Sequence, residues 1–191
     1  MTHAEYKRAV YTDLYRLRGR SGAREFYWAL LRHPGFTYCF WMRTCAYARP
    51  HPLLRFLVYP IARALFIRYR YRFGISIEFT TRIGEGFFIG HFGGIVVNLL
   101  STIGRNCNIS QGVTIGSINR GKRTGVPAIG NNVYIGPGAK ILGGITVGDG
   151  AAIGANCVVT RDVPENGVVV GIPGEVISHD GSEGYVNHTD Y

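Results

Sequence analysis

The 191-residue chain predicts stacked coils of parallel β-structure behind a small helical region, a mainly β fold with an α N-terminal part. Three observations carry this. From residue 75 to 160 one apolar residue returns every six positions: Ile77, Ile83, Ile89, Ile95, then Ile103, Ile109, Ile115, then Ile129, Ile135, Ile141, Val147, Ile153 and Val159. A glycine follows at 84, 90, 104, 116, 130, 136, 148 and 154. Residues before Gly74 lack this period and instead alternate apolar runs with helix stops. A fixed self-similar period outranks local propensity. Six is not a helical return, which would fall at three, four and seven. It suits a short strand of branched residues followed by a tight turn, with glycine where the backbone bends. Three such units make an 18-residue coil with one inward side chain from each side. Stacking then buries a column that no single repeat could bury. The thirteen matches predict slightly more than four coils.

Two interruptions mark the frame. Ile95 and Ile103 are eight apart, a slip assigned to Leu99-Leu100. Ile115 and Ile129 are fourteen apart, and the excess is Ser117–Gly125, a polar, basic segment expected to leave the coil as a loop over 117–127. Loops on rigid scaffolds often carry function; a solvated insertion is the plain alternative.

The chain is long enough for a real core. Its 46% hydrophobic and 17% charged content is that of a folded protein. Cys39, Cys45, Cys107 and Cys157 show neither CxxC nor zinc spacing, which predicts reduced thiols and a cytoplasmic setting. Charge is uneven: residues 1–73 carry 14 Lys and Arg against 3 acids, residues 74–191 carry 7 against 9. A basic half favours anionic partners. Neither a signal peptide nor a membrane span is predicted, since Leu53–Ile67 is interrupted by Arg55, Pro60 and Arg63.

In chain order, residues 3–20 read as a first helix stopped by Ser21-Gly22, residues 23–32 as a second ended by His33-Pro34-Gly35, and residues 36–48 as a third. Residues 53–71 read as a fourth, with a possible kink at Pro60. Residues 1–73 thus form a basic helical region. Three roles compete for it: a cap over the first coil, a surface on anionic membrane at the inner face of the plasma membrane, or nucleic-acid binding. The last ranks lowest, because no recognition motif accompanies the charge. The β region runs over 74–177, with Val168–Val170 as the last strand, and 178–191 is expected to be a mobile polar tail.

Few coil residues can move protons. Of six histidines only His91 lies in the coils, within Phe88-Ile89-Gly90-His91-Phe92-Gly93-Gly94. An imidazole suits abstraction of a hydroxyl proton near neutral pH; a turn histidine without a role is the alternative. One coil histidine per chain cannot supply a three-histidine zinc site, so no metal is expected. No GxSxG, Cys–His or GxxxxGK[ST] pattern is present. Glu78 and Glu85 lie one coil back, and Glu78 is placed to orient His91 or else to face solvent.

These motifs resemble the hexapeptide-repeat acyltransferases, in their serine acetyltransferase branch. Gly86–Val97 is similar to that branch's GxxxDHxxGIVI stretch, Ile135–Gly143 to IGAGAKILG, Ile153–Val159 to IGAxSVV and Gly171–Gly174 to the closing GxPA turn. The resemblance implies a left-handed parallel β-helix assembled as a homotrimer or dimer of trimers, with acetyl-CoA between neighbouring subunits as co-substrate. It implies His91 as general base for direct transfer to an acceptor hydroxyl, and a pantetheine path past Pro137, Gly138 and Ala155. Lys140 and Arg161 are expected at the cofactor phosphates, and Asn98, Arg120, Lys122 and Arg123 at the acceptor.

The departures are specific. Ser76 stands where the branch has the Asp that pairs with the His, Gly90 where it has a second Asp, Val126 where it has a serine-holding His, and Glu175 where it has a base. The stretches Ile89–Asn98 and Ile109–Gly116 are similar to those of polysaccharide O-acetyltransferases. The expected function is therefore acetyl transfer to a hydroxyl of a bacterial surface or capsular polysaccharide. Serine acetylation in cysteine synthesis is the first alternative, and a non-catalytic trimeric scaffold or membrane-binding module the second.

Overall fold

The computed structural model describes residues 1–191, and the helices come first: α1 (His3–Arg18), α2 (Ala23–Arg32), α3 (Pro34–Ala48), α4 (Pro52–Leu57) and α5 (Tyr59–Phe73). α1 opens on a capping box, in which Thr2 accepts from the Glu5 N–H and the Glu5 side chain accepts from the Thr2 N–H. Gly19, at φ 64°, ends it in the left-handed conformation that glycine adopts without strain. The single helix expected over 53–71 is two. Proline has no N–H and fits only the first turn of a helix, so the chain breaks at Val58 and α5 starts anew with Pro60 in its first turn.

The β region is a three-walled parallel solenoid. One wall stacks Ile75–Ile77, Ile95–Val97, Thr114–Gly116, Lys140–Leu142 and Val158–Val159. The second stacks Arg82–Ile83, Thr102–Ile103, Ala128–Ile129 and Thr146–Val147, and the third runs from Phe88–Ile89 up to Val168–Val170. The third wall also gains Glu175–Ser178, an antiparallel edge strand that the period does not announce. The stack has five coils where slightly more than four were expected.

Register corrects the frame read from the sequence. Ile77 pairs with Val97, twenty residues on, whereas Val97 pairs with Ile115, eighteen on. The inward member of the second coil is therefore Val97, and the two extra residues lie between Ile89 and Val97. Leu99-Leu100 is an ordinary corner. The eight-residue excess before Ile129 lies, as expected, in the 117–127 segment, which forms a short hairpin closed by Ile118 and Gly125.

Corners stack as strictly as strands. Asn106, Asn132 and Asn166 sit at φ 54–58° beside Gly86 and Gly150 in the same corner, positions that Asn tolerates better than other side chains. Asn106 donates to the Asn132 side chain at 3.0 Å, forming a rung between coils. The opposite corner stacks Gly94, Gly112, Gly138 and Asn156, all at positive φ. Gly138 sits at φ 73°, where most side chains are strained, and a Cβ there would also push the Asn156 side-chain oxygen, 2.0 Å away, aside. The four cysteines are buried and unpaired. Burial pushes the Cys45 and Cys107 thiols up to about 12, which keeps them inert wall-fillers.

Of the three roles weighed for the helices, capping is the one that the contacts display. The Tyr38 hydroxyl on α3 donates to the Ile77 carbonyl at 2.7 Å and accepts from the Ile77 N–H. Asp13 and Arg43 form a buried ion pair at 3.1 Å. Asp13 also accepts from the Phe87 N–H, and Arg43 donates to the carbonyls of Ile83 and Gly84. A buried pair adds little net stability, but with both carboxylate oxygens accepting hydrogen bonds it fixes one orientation. It thereby locks α1 and α3 onto the first coil.

The tail is not the mobile segment expected from its polarity. Ser182 is buried and donates to the Asn132 carbonyl. Tyr185 stacks on Tyr134 at 4.5 Å, and its carbonyl accepts from Asn108. Arg16 binds the Asn187 carbonyl, and the Tyr191 hydroxyl donates to Asn106. The polar corner ladder and the outward Asn108 give a polar tail partners that an apolar wall would deny it.

Candidate active site

His91 stands in the one corner that carries two extra residues. The corresponding turn in the coil above is Ser110-Gln111-Gly112, where this coil has Gly90-His91-Phe92-Gly93-Gly94. Because the walls on either side keep register, the surplus backbone bulges outward, and the imidazole is exposed. Gly93 at φ 108° and Gly94 at φ 65° close the bulge.

Helices brace it from below. α3 begins so close to the third wall that a Cβ on Gly35 would lie 2.1 Å from the Ile89 carbonyl oxygen. Phe92 packs on Phe73 of α5 at 5.5 Å, and Phe73 stacks on Tyr69. The turn is thus held at both ends while its histidine stays free.

Glu78 does not orient His91 within the protomer. Its carboxylate is taken by Arg70 of α5, whose other terminal nitrogen donates to Ser76 at 2.8 Å. This pair occupies the position where the branch that the sequence resembles holds its histidine-pairing Asp. Glu78 lies one residue beyond the wall strand Ile75–Ile77, within reach of the arginine descending from the helix before it.

The remaining expected residues divide by what already holds them. Lys140 donates its ammonium to the Gly112 carbonyl and to Thr114 at 3.2 Å, so it braces the wall beside the corner. Gly138 is explained by stacking alone, while Pro137 is half-buried and Ala155 is exposed on the same corner. Arg161 is exposed. Asn98 caps the Leu99-Leu100 turn by accepting from the Leu100 N–H at 3.0 Å. Arg123 reaches across to Asp162 at 2.9 Å, which pins the hairpin, whereas Arg120 and Lys122 project from its tip. The expected acceptor contacts thus reduce, within one chain, to the hairpin tip.

The His91 bulge and the hairpin lie on opposite edges of one wall. Between them that wall and its margins expose Phe92, Val96, Leu99 and Leu100. A single protomer does not bring the two edges together. Pro137 and Ala155 stack above the bulge in the same corner, whereas Arg161 lies at the hairpin's edge of the wall, next to the Asp162 that Arg123 holds.

Residues 127–161 match the family described as bacterial transferase hexapeptide (six repeats). The chain is 39% identical over 170 residues to a serine acetyltransferase of Bacillus licheniformis, covering 88% of this chain and 76% of that protein. It is 44% identical over 133 residues to one of Staphylococcus aureus, covering 69% and 62%. Among solved structures it superposes on a Neisseria gonorrhoeae serine acetyltransferase in complex with serine, with TM-score 0.75, 31% identity and coverage of 92% and 70%. A Brucella abortus serine acetyltransferase in complex with coenzyme A gives TM-score 0.75, 30% identity and coverage of 92% and 69%.

The hairpin pin carries a pH signature. The Thr146 N–H and the Arg123 guanidinium hold the Asp162 carboxyl below the usual carboxylate range. A depressed carboxylate stabilises at pH values above its unfolded pKa, and that contribution is lost as pH falls through the lower folded value. Cleavage after Arg120 or Lys122 in limited trypsin digestion at about pH 8, where the pin is fully formed, should therefore be slow. Asp162→Asn should accelerate it several-fold there. Equal cleavage rates for the two proteins would remove the pin from the account.

Proposed function

The chain belongs to the hexapeptide-repeat acyltransferases, in their serine acetyltransferase branch, and from that membership we propose that it acetylates a small hydroxyl acceptor, L-serine first, at an inter-subunit site built on His91. It is an acyltransferase with acetyl-CoA as co-substrate. The ranking of acceptors made from the sequence is reversed here, because the relatives that cover most of this chain are serine acetyltransferases.

Acetyl-CoA supplies an acetyl group activated as a thioester. The imidazole of His91 takes the proton from the acceptor hydroxyl as its oxygen attacks the carbonyl carbon. The new C–O bond replaces the C–S bond, and the imidazolium returns its proton to the departing sulfur. With Arg70 holding Glu78 and Ser76, the carboxylate that would steady the imidazolium has to come from elsewhere, or the ring works unpaired.

Hexapeptide-repeat acetyltransferases are typically trimeric, and the exposed Phe92, Val96, Leu99 and Leu100 support that state for this chain. The hairpin tip of one protomer, Arg120 and Lys122, would then face His91 of its neighbour. A glycan hydroxyl is the second reading. Val126 favours it, because it stands where the branch that the chain resembles has a serine-holding His.

Membrane contact is a separable reading of the helical region. α4 and α5 expose Leu53, Phe56, Leu57, Ile61 and Tyr71 at helical spacing, and Arg55, Arg68 and Arg72 flank them. No acid lies between Glu25 and Glu78. That combination suits an anionic lipid surface, although no helix is long and apolar enough to cross a membrane. Co-sedimentation should be strong with vesicles containing phosphatidylglycerol, weak with phosphatidylcholine, and lost in Phe56→Ser with Leu57→Ser. Equal partition between the two lipids would end this reading.

Thiol release from acetyl-CoA, followed with L-serine and with a panel of glycans, tests the main proposal. Turnover with L-serine, falling by about 10²–10⁴-fold in His91→Ala, is the expected result. Turnover with glycans alone would restore the polysaccharide reading, and full activity in His91→Ala would remove the mechanism.

A further inference from the structure

A second cavity, of 480 Å³, opens where α3 meets the first coil, and neither transfer nor capping explains it. Its lining includes Met42, Arg43, Arg49, Phe79, Thr81 and Arg82, and no acidic residue. Arg43 is neutralised by Asp13, but the other cations nearby are not. The guanidiniums of Arg49 and Arg63 both lie over the Phe79 ring, at 5.7 and 5.3 Å from its centroid. Two like charges are thus drawn to one aromatic ring, and the adjacent Glu78 carboxylate has been claimed by Arg70.

Two buried polar atoms here lack partners. Thr81, a residue only 8% exposed, is part of the lining, and its buried hydroxyl lies behind that surface without a hydrogen bond. One terminal nitrogen of Arg63 is likewise buried and unpaired. Leaving such groups unsatisfied costs about 1–3 kcal/mol each, more where charge is involved, so native structures keep few of them without a reason.

The geometry points to a binding site for a small molecule bearing an oxyanion, a phosphate ester above all. Its anionic group would be held by Arg49, Arg82 and the Thr81 hydroxyl, and its body would lie against Phe79 and Met42. The cavity is large enough for more than bare phosphate, within the range of small-molecule pockets. The guanidinium fork matches the phosphate oxygens, and Thr81 supplies the short donor that a buried oxyanion needs. The site lies on the seam that orients the helices over the first coil, away from the His91 corner. A ligand there would tighten the seam without entering the transfer site.

The test is calorimetric titration of the full chain with inorganic phosphate and with glycerol 3-phosphate, each at ionic strength matched by sodium chloride. Saturable binding is expected for both, tighter for the ester, and unchanged in His91→Ala. Arg49→Gln combined with Arg82→Gln, at two exposed positions, should weaken it at least tenfold. Thr81→Val should weaken it several-fold while leaving the ligand-free melting temperature unchanged or raised, since a buried hydroxyl without a partner is removed. Absence of saturable binding, an unchanged affinity in the double variant, or loss of binding in His91→Ala would each overturn the assignment. Because binding is read directly, this result is independent of whether the acceptor is serine.

Discussion

Everything in the β region depends on coil-to-coil register. One inward Ile or Val from each wall must sit on its counterpart in the next coil, and the corners must stack at positive φ with Gly or Asn. Burying each such side chain contributes about 1.5–3 kcal/mol, and slipping a strand by one residue would turn its whole inward set to solvent. Extra residues therefore cannot be absorbed inside the stack and are expelled at corners. The chain has two such expulsions, the His91 bulge and the 117–127 hairpin, and both sit at the edges of the same wall. Constraint in the scaffold is thus what places the candidate chemistry.

The helical region depends on the same stack at one remove. The first coil would otherwise end in open backbone donors and acceptors. Tyr38, Asp13, Thr12 and Arg43 satisfy those at Ile77, Ile83, Gly84, Gly86 and Phe87. Gly35 and Phe73 carry that contact through to the His91 turn. A single seam therefore caps the solenoid, braces the candidate base and leaves a cationic cavity beside it.

Much of this is legible in the residues. The six-residue period announces the solenoid, the lone coil histidine announces the candidate base, and the polar run after Ile115 announces the hairpin. The position of the two-residue slip is not legible, because Ile95 and Val97 are both apolar and both buried; only pairing tells which belongs to the column. Nor could spacing assign Glu78, Lys140 and Arg123, since a charged side chain's partner is set by elements far away in the chain. The ordered tail was missed for a similar reason. Its polarity reads as solvation until the Asn-bearing corners and Asn108 on the third wall supply partners.

The central claim is that two surplus residues present His91 for proton transfer. Deleting Phe92 and Gly93 keeps His91 but restores the six-residue spacing from Ile89 to the next inward residue. The account predicts a folded protein whose rate of thiol release from acetyl-CoA falls nearly as far as in His91→Ala. A folded deletion variant that retains the parent rate would contradict it.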